Sequence, residues 1–239
     1  TGTMGAGGGS GCSASYEATV LCDDPLLYLR FEDPTNLAKD TTGSVTSGNW
    51  SNATASDASP PGIGGSSLRL SSGGSLTVAD LAAHHFAGDA PHTIEAWVRA
   101  APTAAADISY IGTWNGEKGW ALFAFPASPG ASSDVEYKRN AQPFILLCGA
   151  QPGCSASLSG REFRHLVVTY DGNKARLYVD GSKTDEDIPN LLELGQSFGI
   201  HGGSQTGTIV TWDEVALYGY DLSETQVERH FACGSGNGC

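Results

Sequence analysis

Apolar and polar positions along this chain alternate with a period of two over short runs, and Gly, Ser, Asp and Pro fall between the runs. Long segments with a helical period of 3.6 are almost absent. The clearest unit runs from Phe163 to Gly181. Leu166, Val168 and Tyr170 alternate with His165, Val167 and Thr169; Asp171-Gly172-Asn173 supplies residues that tolerate positive φ, and Leu177 and Val179 run back. This predicts a tight hairpin. A second unit, Trp212 to Tyr218, predicts a strand. Ser223 follows as a helix N-cap, with Gln226 three residues on as a capping box requires.

Further strands are expected at 26–32, 93–100, 108–113, 119–125, 142–147, 191–194 and 199–201. Residues 67–71 and 75–79 read as a strand pair turning at Ser72-Gly73-Gly74. Short helical segments are expected at 13–21, 80–85 and 223–232. Residues 43–65 read as a long loop rich in Ser, Thr, Asn and Pro, with N-x-S/T triplets at Asn49 and Asn52. Residues 1–12 are a Gly-rich linker or arm with nothing to bury, and 13–239 read as one domain.

Five motifs in this order resemble the laminin-G-like branch of the concanavalin-A-like lectin/glucanase jelly rolls, over about residues 16–232. They are the first strand (Leu26 to Glu32), the Ala38-to-Gly43 loop, the Thr93-to-Arg99 strand, the hairpin, and the late strand with its capped helix. The resemblance implies an all-β sandwich of two antiparallel sheets with short terminal helices. It also implies calcium between the first-strand loop and the late strand, and the matching residues are Glu32, Asp40, Gly43 and Asp213. By alternation Asp213 shares a face with Val215 and Leu217 and should point inward, where a carboxylate is costly unless paired or metal-bound. Capping of backbone N–H groups or pairing with Arg30 would also satisfy it.

Charge and composition narrow the function. Thirteen basic against 26 acidic residues leave a net charge of −13, which disfavours nucleic acid and anionic membranes. No window is apolar enough to span a bilayer. Six cysteines, none in a C-x-x-C pair, predict three disulfides and an oxidising, extracellular setting: Cys12, Cys22, Cys148, Cys154, Cys233 and Cys239. Cys148–Cys154 closes a short loop over Pro152-Gly153. For the other four, local pairing (Cys12–Cys22, Cys233–Cys239) competes with cross-pairing of the termini. A helix over 13–21 would hold the Cys12 and Cys22 Cα atoms about 15 Å apart, beyond the roughly 7 Å that a disulfide tolerates. The resemblance places the N-terminal segment by the last helix and so favours Cys22–Cys233 with Cys12–Cys239.

Catalytic chemistry is not legible. There is no E-x-D-x-x-E triplet, no G-x-S-x-G elbow and no phosphate loop. Asp185-Glu186-Asp187 reads as a solvated turn, and Asp213 and Glu214 should point to opposite faces of a strand. His84-His85 read as surface residues, and His165 as structural. Glycan binding needs exposed aromatics beside polar groups. Trp114 with Asn115, Trp50, and His201 at a loop rim are the candidates; Trp97 reads as core. The expectation is a secreted, non-catalytic recognition or adhesion module that binds a glycan, an extracellular protein or copies of itself. The alternative is a structural subunit of an extracellular polymer, appendage or particle.

Overall fold

The computed structural model describes residues 14–45, 47–79, 82–86, 88–100, 109–124, 135–140, 146–148, 158, 162–203 and 209–239. Two α-helices, α1 (Tyr16–Cys22) and α2 (Glu224–Gly234), flank thirteen strands among these residues. The strands are β1 (Leu27–Leu29), β2 (Gly48–Ser56), β3 (Ser67–Val78), β4 (His92–Ala100), β5 (Ser109–Gly112), β6 (Trp120–Ala124) and β7 (Val135–Arg139). They continue with β8 (Leu146–Cys148), β9 (Arg164–Tyr170), β10 (Ala175–Val179), β11 (Ser182–Asp187), β12 (Gly199–His201) and β13 (Val210–Tyr218). All pairings are antiparallel.

Strand β3 joins the two layers. Its first half pairs with β13, in a first sheet ordered β11-β10-β9-β4-β13, while its second half pairs with β12, in a second sheet ordered β12-β5-β6-β7-β8. The expected turn at Ser72-Gly73-Gly74 is instead a bend within one strand. Gly73, at φ +66°, lets the backbone change direction while β2 follows β3 across the bend. Residues 43–65 are therefore not one loop. The β2 ladder needs only backbone groups, and its Asn, Ser, Thr and Ala residues carry no apolar alternation to announce a strand. β11 was missed because its charges pair along the surface: Glu186 meets Lys174, Arg176 and Lys183. Those charges also blunt an exposed edge. At Leu191 to Leu194 the described residues form one β pairing, the isolated bridge Leu192–Gly88.

Leu68, Leu76, Ile94, Ile111, Leu122, Val168, Ile200, Trp212 and Leu217 fill the space between the sheets. His84 and His85, expected at the surface, are buried on a 3₁₀ turn at Ala82–His85. The Trp120 indole N–H donates to the His84 carbonyl, and the His84 ring lies edge-on to Phe198.

The outer face of the first sheet is covered by α1 and α2. Trp97 is buried there, so close to Gly234 that a Cβ at that glycine would collide with the indole. Ser223 and Gln226 form the predicted capping box of α2. Beneath the helices lies Glu95, with no exposure at all. It accepts hydrogen bonds from the Tyr16 (2.7 Å) and Tyr218 (2.8 Å) hydroxyls and contacts His165 Nε2 (2.8 Å) and His230 Nδ1 (2.9 Å). His230 Nε2 lies 2.8 Å from Asp23, which Arg229 also meets at 2.6 Å. Burial opposes the charge on each group and is outweighed: His230 and His165 hold Glu95 well below the carboxylate range, and Glu95 and Asp23 push His230 up to about 9.

The favoured disulfide pairing is corrected. Cys233 is bonded to Cys239, with Cα atoms 4.5 Å apart, which excludes Cys22–Cys233 and Cys12–Cys239. After α2 the chain folds straight back, with Gly236 at φ +80° and Asn237 N–H donating to the Ala232 carbonyl. Helix α1 does lie beside α2, with Thr19 Oγ1 3.5 Å from Cys233 Sγ. Proximity was read correctly and bonding was not. α1 starts only at Tyr16, behind an extended Ser15 cap. Cys22 is disulfide-bonded, but its partner lies outside the described residues, as do Cys12, Cys154 and the Cys148 side chain.

Glu95→Ala should destabilise the fold by about 3–5 kcal/mol, because it leaves His230 charged and buried. Since His230 is raised from 6.5 to about 9, its contribution is complete below pH 6.5 and lost as pH rises through about 9. Urea melts across pH 6–10 should show this decline in the parent protein and a smaller one in His230→Gln. Non-reducing peptide mapping should return a Cys233–Cys239 peptide.

Candidate functional site

Two regions gather chemistry. The first is the outer face of the second sheet, opposite the helices. Its core-facing row is Leu76, Ile200, Ile111, Leu122 and Tyr137, which are register partners across β3, β12, β5, β6 and β7. One residue along, the outward row reads Ser75, His201, Tyr110, Phe123 and Glu136. Two residues further the row is Thr77, Gly199, Gly112, Ala121 and Lys138, three small buried residues between polar ends.

The aromatic rings of this face touch one another. His201 stacks on Tyr110 (centroids 4.6 Å, 21° between planes), and Tyr110 and Phe123 are 5.4 Å apart. Trp114 stands edge-on to both at 6.1 and 5.4 Å, with Lys138 Nζ 5.0 Å above its ring. Trp114 and His201 are half-buried, and Trp114 Nε1 and His201 Nε2 are buried atoms without a hydrogen-bond partner. Burial alone lowers the His201 pKa, which favours a neutral imidazole. Asn115 is exposed and spends its Oδ1 on the N–H groups of Glu117 and Lys118, so it shapes the turn that carries Trp114. Gln196 braces the turn from the neighbouring loop, donating from its backbone to the Thr113 carbonyl and from its side chain to the Trp114 carbonyl.

The structure thus brings Trp114 and His201 together and leaves Trp50 elsewhere. Trp50 pairs in register with the core residue Leu76, so it belongs to the opposite face of edge strand β2. Tyr110, Phe123 and Lys138 were missed. Their signal was the alternation of the segments at 108–113 and 119–125, which marks one face once the neighbouring strands are known.

The second region centres on Asp213. A β-bulge in β13 sets Glu214 and Val215 against Ala96 alone, with Glu214 at φ +50°. The bulge resets the alternation. Val210, Trp212, Val215 and Leu217 all face the core, while Asp213 pairs with Trp97 on the helix side. The expectation that Asp213 points inward with Val215 and Leu217 is therefore corrected, as is the expectation that Asp213 and Glu214 diverge. Both are buried, and Glu214 lies against Tyr28 of the helix-side cluster.

Glu214 accepts from the Tyr28 hydroxyl and from Arg30 Nε (3.3 Å). Arg30 also reaches Glu17 (2.8 Å) and Glu32 (3.7 Å), so one guanidinium serves several carboxylates. Burial pushes Glu214 up to about 7 against the pull of Arg30. Asp213 is raised well above its usual range by burial and by Glu214. Its Oδ1 accepts the Glu214 N–H; its Oδ2 makes no close hydrogen bond among the described residues, although the Ser59 hydroxyl lies near enough to lower the carboxyl pKa slightly.

Of the four expected calcium ligands, Asp213 and Glu32 have free capacity: Glu32 takes the Ser66 N–H (3.1 Å) and touches Arg30. Asp40 is spent, because its two oxygens accept from Tyr28 N, Thr42 N, Thr42 Oγ1 and Val45 N. Gly43, at φ +79°, belongs to the turn that Asp40 ties together. Among the described residues no three His, Cys, Asp or Glu side chains converge on one metal position.

Residues 70–228, well over half of the chain, match the sequence model of a laminin G family within the concanavalin A-like lectin/glucanases superfamily. No curated protein matches in sequence. Among solved structures, the binding domain of Paraclostridial Mosquitocidal Protein 1 superposes with a TM-score of 0.69 at 17% identity, over 87% of this chain and 52% of that one. The binding domain of botulinum neurotoxin serotype G gives 0.66 at 18%, over 87% and 50%. This chain therefore spans about half the length of these toxin binding domains. Domain 4 of AbnA, an extracellular arabinanase of Geobacillus stearothermophilus solved with arabinotriose, gives 0.61 at 13%, over 86% and 97%.

Asp213→Asn should be tolerated with little loss of stability at pH 7 in chelator, since burial and the neighbouring Glu214 already favour the neutral Asp213 carboxyl that the amide replaces. With Glu214 raised from 4.5 to about 7, parent stability should fall as pH rises from 4.5 through 7. Denaturant titrations over that window should show this decline in the parent protein and a flatter profile in Glu214→Gln, which removes the group whose burial causes it.

Proposed function

Because the chain belongs to the concanavalin A-like lectin/glucanases superfamily, we propose that it is a secreted, non-catalytic recognition module. Its ligand is a glycan laid on the outer face of the second sheet. The observation that carries this reading is the cluster of half-buried aromatic rings His201, Tyr110 and Trp114. A sugar ring stacks on an aromatic edge or face. The tightly buried acidic groups Asp213, Glu214 and Glu95 lie on the helix side, away from this face, so they are not a hydrolytic pair across it.

A structural calcium ion belongs to the same proposal, with Asp213 and Glu32 as its carboxylates. Calcium also accepts carbonyl and water oxygens, so two carboxylates are a sufficient start. Its charge would offset the burial that raises both the Asp213 and Glu214 carboxyl groups.

Glycan arrays, with arabino-oligosaccharides among the first probes, test the ligand. Trp114→Ala should weaken binding by about 1–3 kcal/mol with little change in melting temperature. Binding that ignores Trp114→Ala and Tyr110→Ala would place the ligand elsewhere. Calcium should raise the melting temperature of chelator-treated protein at pH 7 and release protons, and Asp213→Ala should abolish both. An unchanged melting curve would remove calcium from the proposal.

A further inference from the structure

Strand β2 is an edge without a charge. It runs for nine residues and, among the described residues, pairs on one side only, with β3. Between Asp40 and Asp57 the sequence holds no charged residue, in a chain of net charge −13. Asn49, Trp50, Ser51 and Asn52 are all exposed, and Trp50 is 38% exposed, a large apolar ring at the rim of the sandwich. A long neutral edge strand is a template for another strand, and proteins commonly guard such edges with Lys, Glu or Pro. β11 is guarded in this way, by Lys183, Asp185, Glu186 and Asp187. β1 is three residues long, buried and closed by a bridge from Leu29 to Asp40. β2 has only a bulge at Asn52, which leaves Gly48 to Ser51 in regular register with β3.

We propose that Gly48 to Ser51 pairs antiparallel with the same segment of a second copy, around a two-fold axis. Charge selects this occupant. Two molecules of net charge −13 repel along most approaches, and a neutral strand is where a copy meets least repulsion. A two-fold axis needs a self-complementary patch, and an antiparallel pair of identical strands supplies one, satisfying N–H and C=O groups on both sides. Trp50 would be covered by the partner. The Gly48 to Ser51 half belongs to the second sheet, because its β3 partners Ser75 to Val78 continue through β12. Pairing therefore joins the two second sheets into one and sets the two outer faces side by side.

Sedimentation of the full chain over a range of concentrations should show a monomer–dimer equilibrium. Trp50→Lys with Ser51→Lys should weaken it at least about tenfold, whereas Thr184→Lys on β11 should leave it unchanged. A protein that stays monomeric at every concentration overturns the proposal. So does a dimer that survives the double lysine variant, or one lost instead on removal of residues 1–11, which would assign the edge to an exchanged arm. A dimer abolished by Leu191→Ser with Leu194→Ser, and indifferent to the β2 lysines, would transfer the interface to the loop bearing Ile188, Leu191 and Leu194 and also overturn it.

Discussion

The back of the molecule is organised by one ionised carboxylate. Glu95 on β4 is reached by Tyr16 of α1, His165 of β9, Tyr218 of β13 and His230 of α2, so four elements converge on two oxygen atoms of a fifth. A charge so deep is tolerated only when it is fully partnered. That requirement sets where each helix can sit. Asp23, just past α1, completes the chain of contacts by holding the far side of His230 together with Arg229 and Gln226. Moving either helix away would strand a carboxylate, an imidazolium or both. The apolar cluster of Tyr16, Val20, Trp97, Val227 and Cys233 supplies burial, and the polar network supplies position.

Alternation made much of this fold legible. The hairpin of β9 and β10, the strands β4, β5, β6 and β13, and the capped α2 all follow from patterns local to the chain. What escaped was set by partners distant in sequence. β2 has no apolar face of its own and is a strand because β3 lies beside it. Two glycines between apolar runs look alike whether the chain reverses or bends from one sheet to the other, as β3 does. His165 was legible as a structural residue, but nothing near it announces Glu95, 70 positions away.

The candidate sites show the same limit. Trp114 and His201 stood out by residue type, yet only the strand order of the second sheet puts Tyr110 between them. At Asp213 a period of two was extended through a bulge, and one extra residue inverted every inference about which way the carboxylates point. Asp213 is buried and costly as expected, but it is buried from the other side.

The placement of the ends relative to the aromatic face has a practical consequence. Cys239 is stapled to Cys233 at the foot of α2, and α1 lies beside it, on the side of the sandwich away from Tyr110, Trp114 and His201. Anything attached at Cys239, such as an affinity handle, a fluorophore or a solid support, leaves from the back. A layer of molecules anchored through that end would stand oriented, each presenting its aromatic face outward to the solution.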